Sequence, residues 1–132
     1  EPFFENLEAK YYVNDGIILN EFQSYIFTLE KPTSIKGINI HTSFLPGSKV
    51  EIASISFTNK DNITVTLPLS SSYIKTQKSY IDTSGGRISI IGPTTNENEI
   101  TTINFDKTYN LISKINMRLK FSRMQLTNKN GC

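Results

Sequence analysis

Cysteine, histidine, tryptophan and alanine are almost missing from this chain of 132 residues, and each shortage excludes something. Cys132 is the only cysteine, so no internal disulfide can form. That removes the disulfide-stapled mini-domains without excluding export, because a chain of this length can bury a core unaided. One histidine, His41, and one cysteine are too few for a zinc site, which takes three or four such ligands. With no G-x-S-x-G motif and His41 remote from Cys132 in sequence, nucleophilic catalysis has no support. His41 reads as an ordinary polar residue at a strand end. Ala9 and Ala53 are the only alanines, which argues against long helices. No apolar run exceeds three residues, as at Ile17, Ile18 and Leu19, so no membrane span is expected. The formal charge of +2 is too small to predict nucleic-acid binding, which needs many clustered phosphate contacts.

What is abundant favours strands. Eight Phe and six Tyr accompany many Ile and Thr, side chains that suit a pleated, half-buried surface. Ile115, Met117, Leu119 and Phe121 are interleaved with Asn116, Arg118, Lys120 and Ser122, the period of a strand with one face in a core and one in water. The alternation returns at Ile63, Val65, Leu67 and Leu69, and at Tyr25, Phe27 and Leu29. Val50 and Ile52 fall out of step with Ile55 and Phe57 by one residue, so a bulge near Ala53 and Ser54 is predicted to return both pairs to one face.

Turn chemistry divides these runs. The segment up to Lys10 reads as a short helical turn or arm, and Asp15-Gly16 as the turn of a first hairpin joining residues 11–13 to 17–19. Lys31-Pro32-Thr33 reads as a turn between strands 25–29 and 35–42, because Pro32 cannot donate to a ladder. A hairpin loop is predicted at 58–62, weak strands at 73–75 and 80–82, a Gly85-Gly86 turn into 87–91, and a polar tip at 94–99. Residues 100–105 and 115–121 supply the closing strands. Short strands at a spacing of about 10 to 15 residues predict an all-β fold, a single antiparallel β-sandwich or jelly roll of about eight strands. The absence of repeats and linkers predicts one domain over residues 1–132, excised from a larger protein.

The run from Ile26 through Pro32 to Gly37-Ile38-Asn39-Ile40 resembles the early strand pair of galactose-binding-like, or discoidin-like, jelly rolls. There an apolar strand enters a proline-containing turn, followed by an isoleucine, a glycine and two alternating isoleucines. Ile115-Asn116-Met117-Arg118-Leu119-Lys120-Phe121 is similar to that family's last core strand, which often carries an arginine between apolar residues. The chain departs from the pattern in two ways: only Tyr11 and Tyr12 stand for the aromatic-rich segment before the first pair, and the frequent disulfide joining the ends is missing. The resemblance implies a non-catalytic binding module with its ligand site in loops at one end, taking glycans, lipid head groups or proteins.

Charge is distributed unevenly. Residues 1–30 carry Glu1, Glu5, Glu8, Asp15, Glu21 and Glu30 against Lys10, while residues 107–132 carry Lys107, Lys114, Arg118, Lys120, Arg123 and Lys129 and no acid. Two readings follow: pairing between the first and last strands, or a basic face for an anionic partner. Arg118 and Lys120 share the outward face of one strand, where they could meet sulfate, sialic acid or phosphate, although such charges also protect strand edges. Arg87 follows Asp82-Thr83-Ser84-Gly85-Gly86, a segment able to hold an anion on its amides but more simply a Gly-Gly hairpin. Tyr73, Tyr80 and Tyr109 lie in or near expected loops, where exposed rings stack on sugars. Asn59, Asp61 and Asn62 offer oxygens to calcium but lack the spacing of a dedicated loop, so an ordinary turn is expected.

The expectation is a non-enzymatic binding or adhesion module, extracellular or at a cell surface, without cofactor or metal, recognising a glycan, an anionic surface or a protein. The candidate ligand-binding residues are Tyr73, Tyr80, Arg87, Tyr109, Arg118 and Lys120. The alternative is a structural or assembly jelly-roll domain of a virion, tail or toxin.

Overall fold

The computed structural model describes residues 4–5, 10–11, 18–41, 48–76, 79–84, 86–92 and 100–123. They form an all-β, antiparallel fold. The strands in chain order are β1 (Phe4–Glu5), β2 (Lys10–Tyr11), β3 (Phe22–His41), β4 (Ser48–Asn59), β5 (Thr64–Thr66), β6 (Ile74–Lys75), β7 (Tyr80–Asp82), β8 (Ile88–Ile91) and β9 (Ile100–Arg123), with a single 3-10 turn at Ser71–Tyr73. All belong to one hydrogen-bonded sheet in the order β2-β1-β3-β9-β4-β8-β7, with β5 on β4 and β6 on β9. The two separately bonded sheets of a sandwich do not show in this pairing.

The central strand is β9, flanked by β3 on one side and β4 on the other. Its alternation behaves as expected: Ile115, Met117, Leu119 and Phe121 are buried while Arg118 is exposed and Asn116 and Lys120 are partly so. The register of β4 against β9 slips between Ile52 and Ser54, which turns Ala53 outward and keeps Val50, Ile52, Ile55 and Phe57 all in the core. The predicted bulge is therefore present. A second irregularity serves the same purpose in β9, where Leu111 takes φ 53°, so that Tyr109 and Ile112, three residues apart, both point inward.

Four expectations are corrected. Pro32 lies within β3 rather than in a turn between two strands, and residues 100–105 and 115–121 are parts of one strand. The pairing explains how. From Thr28↔Lys114 to Thr33↔Ile112 the extra residues are on β3, and from Ile35↔Tyr109 to Gly37↔Asn104 they are on β9. Pro32, which has no amide to donate, sits in the first of these unpaired stretches. In the opening segment, read as a helical turn or arm, the described residues Phe4–Glu5 form β1, which pairs β2 and β3. Ile63 and Val65 are exposed, at 57% and 40%, because β5 lies beyond the edge of the core, and only Leu67 of that run is buried. The predicted hairpin turn at 14–16 and the tip at 94–99 lie outside the described residues.

One core unites both stretches of the long strands, with Ile38, Ile40 and Ile103 in the same cluster as Phe57, Ile90 and Leu119. At Gly37 β3 lies close against β9: a Cβ there would lie 3.0 Å from the Ile103 carbonyl oxygen. Phe57 packs against Phe105 and Tyr109 with ring centroids 5.0 and 4.9 Å apart.

Candidate functional site

The outward face of β3, β9, β4 and β8 is largely polar because side chains alternate between the two faces of a strand, with Ile91 on β8 as an apolar, buried member of it. Register places Phe22, Lys120, Glu51 and Ser89 in one row across the four strands. Ser24, Arg118 and Ser54 form the next row, and Ser122, Lys49, Ile91 and Tyr80 the row on the other side. Residues far apart in sequence become neighbours on this flat surface.

Glu51 is its centre. The carboxylate, only 15% exposed, faces three cations: Lys120 Nζ at 3.6 Å, Arg87 Nη1 at 3.7 Å and Lys49 Nζ at 3.9 Å. These distances exceed those of direct charge-assisted hydrogen bonds, so the cations are gathered by charge with their donors uncommitted to the carboxylate. Phe22 completes the group, with Arg87 Cζ 4.8 Å and Lys120 Nζ 5.3 Å from its ring centroid. Three cations face Glu51, two of them over the Phe22 ring, and Lys49 also acts on Asp82 of β7, so that with Arg118 the cations of this region outnumber its acids. Arg118 is exposed one row away, with Nη1 3.4 Å from Ser24 Oγ.

The Asp82–Arg87 segment joins β7 to β8 as the Gly-Gly hairpin reading predicts. Two of its amides are occupied: the Ser84 amide donates to Asp82 Oδ1 at 2.9 Å and the Gly86 amide to Thr83 O at 3.2 Å, with Gly86 at φ 78°. Asp82 is held below the usual carboxylate range by the Ser84 amide and hydroxyl. With those two amides occupied, the group of this segment that reaches the face is the Arg87 guanidinium. Beside Arg87 a recess of about 270 Å³ opens between the turn and the β4 bulge, floored by Ile52, Leu69 and Ile88.

The six candidate residues do not form one site. Arg87, Arg118 and Lys120 share the basic face, and Tyr80, 58% exposed, stands at its far edge across Ile91 from Lys49. Tyr73 lies in the 3-10 turn and Tyr109 inside β9, away from this face. Tyr109 is corrected from an exposed loop ring to a core residue, 7% exposed, whose hydroxyl donates to Asp106 Oδ1 at 2.6 Å. Burial and that carboxylate push its pKa up to about 12. Lys49, Glu51 and Phe22 escaped notice. Lys49 and Glu51 alternate with buried Val50 and so were readable as outward-facing, but their meeting with Arg87 and Lys120 depends on strand register.

The remaining candidates resolve into structure. Asn59 Oδ1 accepts from the Asp61 and Ile63 amides at 2.9 and 3.0 Å, capping the β4–β5 turn with the oxygen a cation would need. Among the described residues no three His, Cys, Asp or Glu side chains come together to hold a metal, and no helix is long and apolar enough to cross a membrane. His41 ends β3 as a buried residue. Among the described residues, the acid that faces Lys120 is Glu51 of β4. Comparison with protein families, curated proteins and solved structures finds no match for this chain.

Proposed function

We propose that this domain is a non-catalytic binding module that recognises an anionic glycan, sulfated or carboxylated, on the outward face of β3, β9, β4 and β8. The observation that carries the reading is the convergence of Lys49, Arg87 and Lys120 on Glu51, the latter two also over the Phe22 ring, with Arg118 beside them. Positive charge is gathered there on two sheet strands, Lys49 on β4 and Arg118 and Lys120 on β9, with Arg87 at the entry to β8. Oxyanions match guanidinium and ammonium donors, and the surrounding Ser24, Ser54, Ser56 and Ser122 offer hydroxyl partners to a polar chain laid across the strands. Tyr80 adds an exposed ring for the apolar face of a sugar. The kind of module is the one that the galactose-binding-like resemblance implies; the proposed site, however, is a sheet face and not a loop cluster.

A glycan array carrying sulfated, sialylated and neutral sugars tests this directly. Binding is expected to sulfated or sialylated ligands, to weaken with added salt, and to be lost in Arg87→Ala and Lys120→Ala. Tyr73→Ala, remote from the face, should bind as the parent does. Selective binding that survives loss of Arg87 and Lys120, or an array with no anionic ligand bound, would overturn the proposal.

A further inference from the structure

β8 and β5 follow one another along the same edge of β4, the edge opposite β9. β8 pairs residues 49–52 of β4 and β5 pairs residues 56–58. Between these two pairings lies the bulge that turns Ala53 outward. The Leu67 amide donates to the Ile55 carbonyl, which carries the chain leaving β5 along β4 and brings Leu69 level with Ala53. The notch between the two strands is the recess of about 270 Å³ beside Arg87.

Its lining changes character with depth. Buried Ile52 and half-buried Leu69 and Ile88 form the floor, whereas exposed Thr83 and Arg87 stand at the rim and Gly86 between them brings no side chain. Arg87 serves two places at once: it lines the recess, and its guanidinium lies over Phe22 and 3.7 Å from Glu51 on the basic face. An anion held by that guanidinium therefore has an apolar hollow beside it. Sites that enclose a whole small molecule run to roughly 300–1,000 Å³, so a hollow of about 270 Å³ suits a substituent of a larger ligand.

We infer that this recess takes the acyl group of an N-acylated acidic sugar whose carboxylate or sulfate pairs with Arg87. The inference rests on the anionic-glycan reading and narrows it. A floor of Ile52, Leu69 and Ile88 favours a methyl group over a hydroxyl, because a hydroxyl seated there gives up its water partners and finds no replacement among aliphatic side chains. The N-acyl substituent of a sugar joins such a methyl to an amide, which stays at the mouth beside the Thr83 hydroxyl. The acid group on the same sugar meets a planar guanidinium able to bind two oxyanion oxygens together. N-acylated sugar acids and sulfated N-acetylhexosamines both carry this combination.

NMR titration of the full chain with two matched pairs of probes tests the inference. One pair is N-acetylneuraminic acid and its analogue with a hydroxyl in place of the acetamido group; the other is sulfated N-acetylglucosamine and the corresponding sulfate of glucose. Charge is equal within each pair, so only the acyl group differs. The acylated member is expected to bind about fourfold tighter, the equivalent of one buried methyl-sized group, and to shift the amide signals of Ala53, Thr83 and Gly86. A preference in either pair supports the inference and identifies the acid, carboxylate or sulfate, that Arg87 takes. Ala53→Trp fills the notch from an exposed position and should bring the two members of a pair to one affinity; Thr83→Trp does so from the rim if the first variant fails to fold. Equal affinities within both pairs, or a preference that survives in a folded notch-filling variant, would overturn the inference and leave the anionic-glycan reading standing. No binding of any probe would overturn both.

Discussion

Replacing Glu51 by Gln is expected to weaken the fold and strengthen anion binding at once. The side chain keeps its size and loses only its charge, so the effect isolates the electrostatics of the cluster. Its three partners lie 3.6 to 3.9 Å away and are 32%, 53% and 29% exposed, so each pair is screened by solvent. Pairs of that kind contribute about 0.2–1 kcal/mol each, and three of them set a loss of about 1–2 kcal/mol, with the repulsion among the uncovered cations inside that range. Urea denaturation at low ionic strength would read it as a lower midpoint with an unchanged slope. Salt must shrink the difference, because screening relieves the repulsion in the variant and weakens the pairs in the parent. For an oxyanion at the site, removing one unit charge at about 4 Å in water is worth about 1 kcal/mol, so affinity should rise by about fivefold at most. A stability loss that does not shrink with salt, or weaker anion binding by the variant, would refute the account of Glu51 as the charge that gathers this face.

Gly37→Ala should destabilise the protein by about 1–3 kcal/mol, the usual cost of overpacking, because the added methyl meets the Ile103 carbonyl oxygen at 3.0 Å; thermal unfolding measures it, and a neutral result would mean that β3 and β9 separate easily at this point. Stability should also decline at alkaline pH. An unfolded tyrosine ionises near 10.0 and folded Tyr109 near 12, so over that interval the unfolded state holds fewer protons and gains in stability relative to the native one. Tyr25, raised by burial, adds to the same decline. Tyr109→Phe should flatten the decline between pH 10 and 12 in denaturant titrations, and an unchanged slope would refute the assignment to Tyr109.

The parts of the fold legible in the sequence are those decided within a few residues. The outward positions of Arg118 and Lys120 follow from alternation, the bulge at Ala53 from a slipped repeat, and the loop after Asn59 from side chains that bond their own backbone. Long-range pairing decided the rest. Pro32 looks like a turn locally, but β9 runs on alongside β3 while the extra residues bulge out of the ladder. Tyr109 looks like a loop residue beside Asp106, Lys107 and Thr108, yet the irregularity at Leu111 turns it into the core. Glu51 reads only as an outward acid until register sets it against Lys120 of β9 and Arg87 beside β8.

The position of β9 also has a consequence for how the chain reaches this state. β3 and β4 are made early but do not pair with each other; both wait for a strand that follows β8 in the chain. Until β9 emerges, two long strands each have an unpaired edge, and most of the contacts that organise the sheet span a long stretch of sequence. Closing such loops before any of them is rewarded makes folding slow and cooperative, with the nascent chain at its most aggregation-prone just before completion. Substitutions in the middle of β9 should therefore act on yield during synthesis more strongly than their effect on the finished protein suggests.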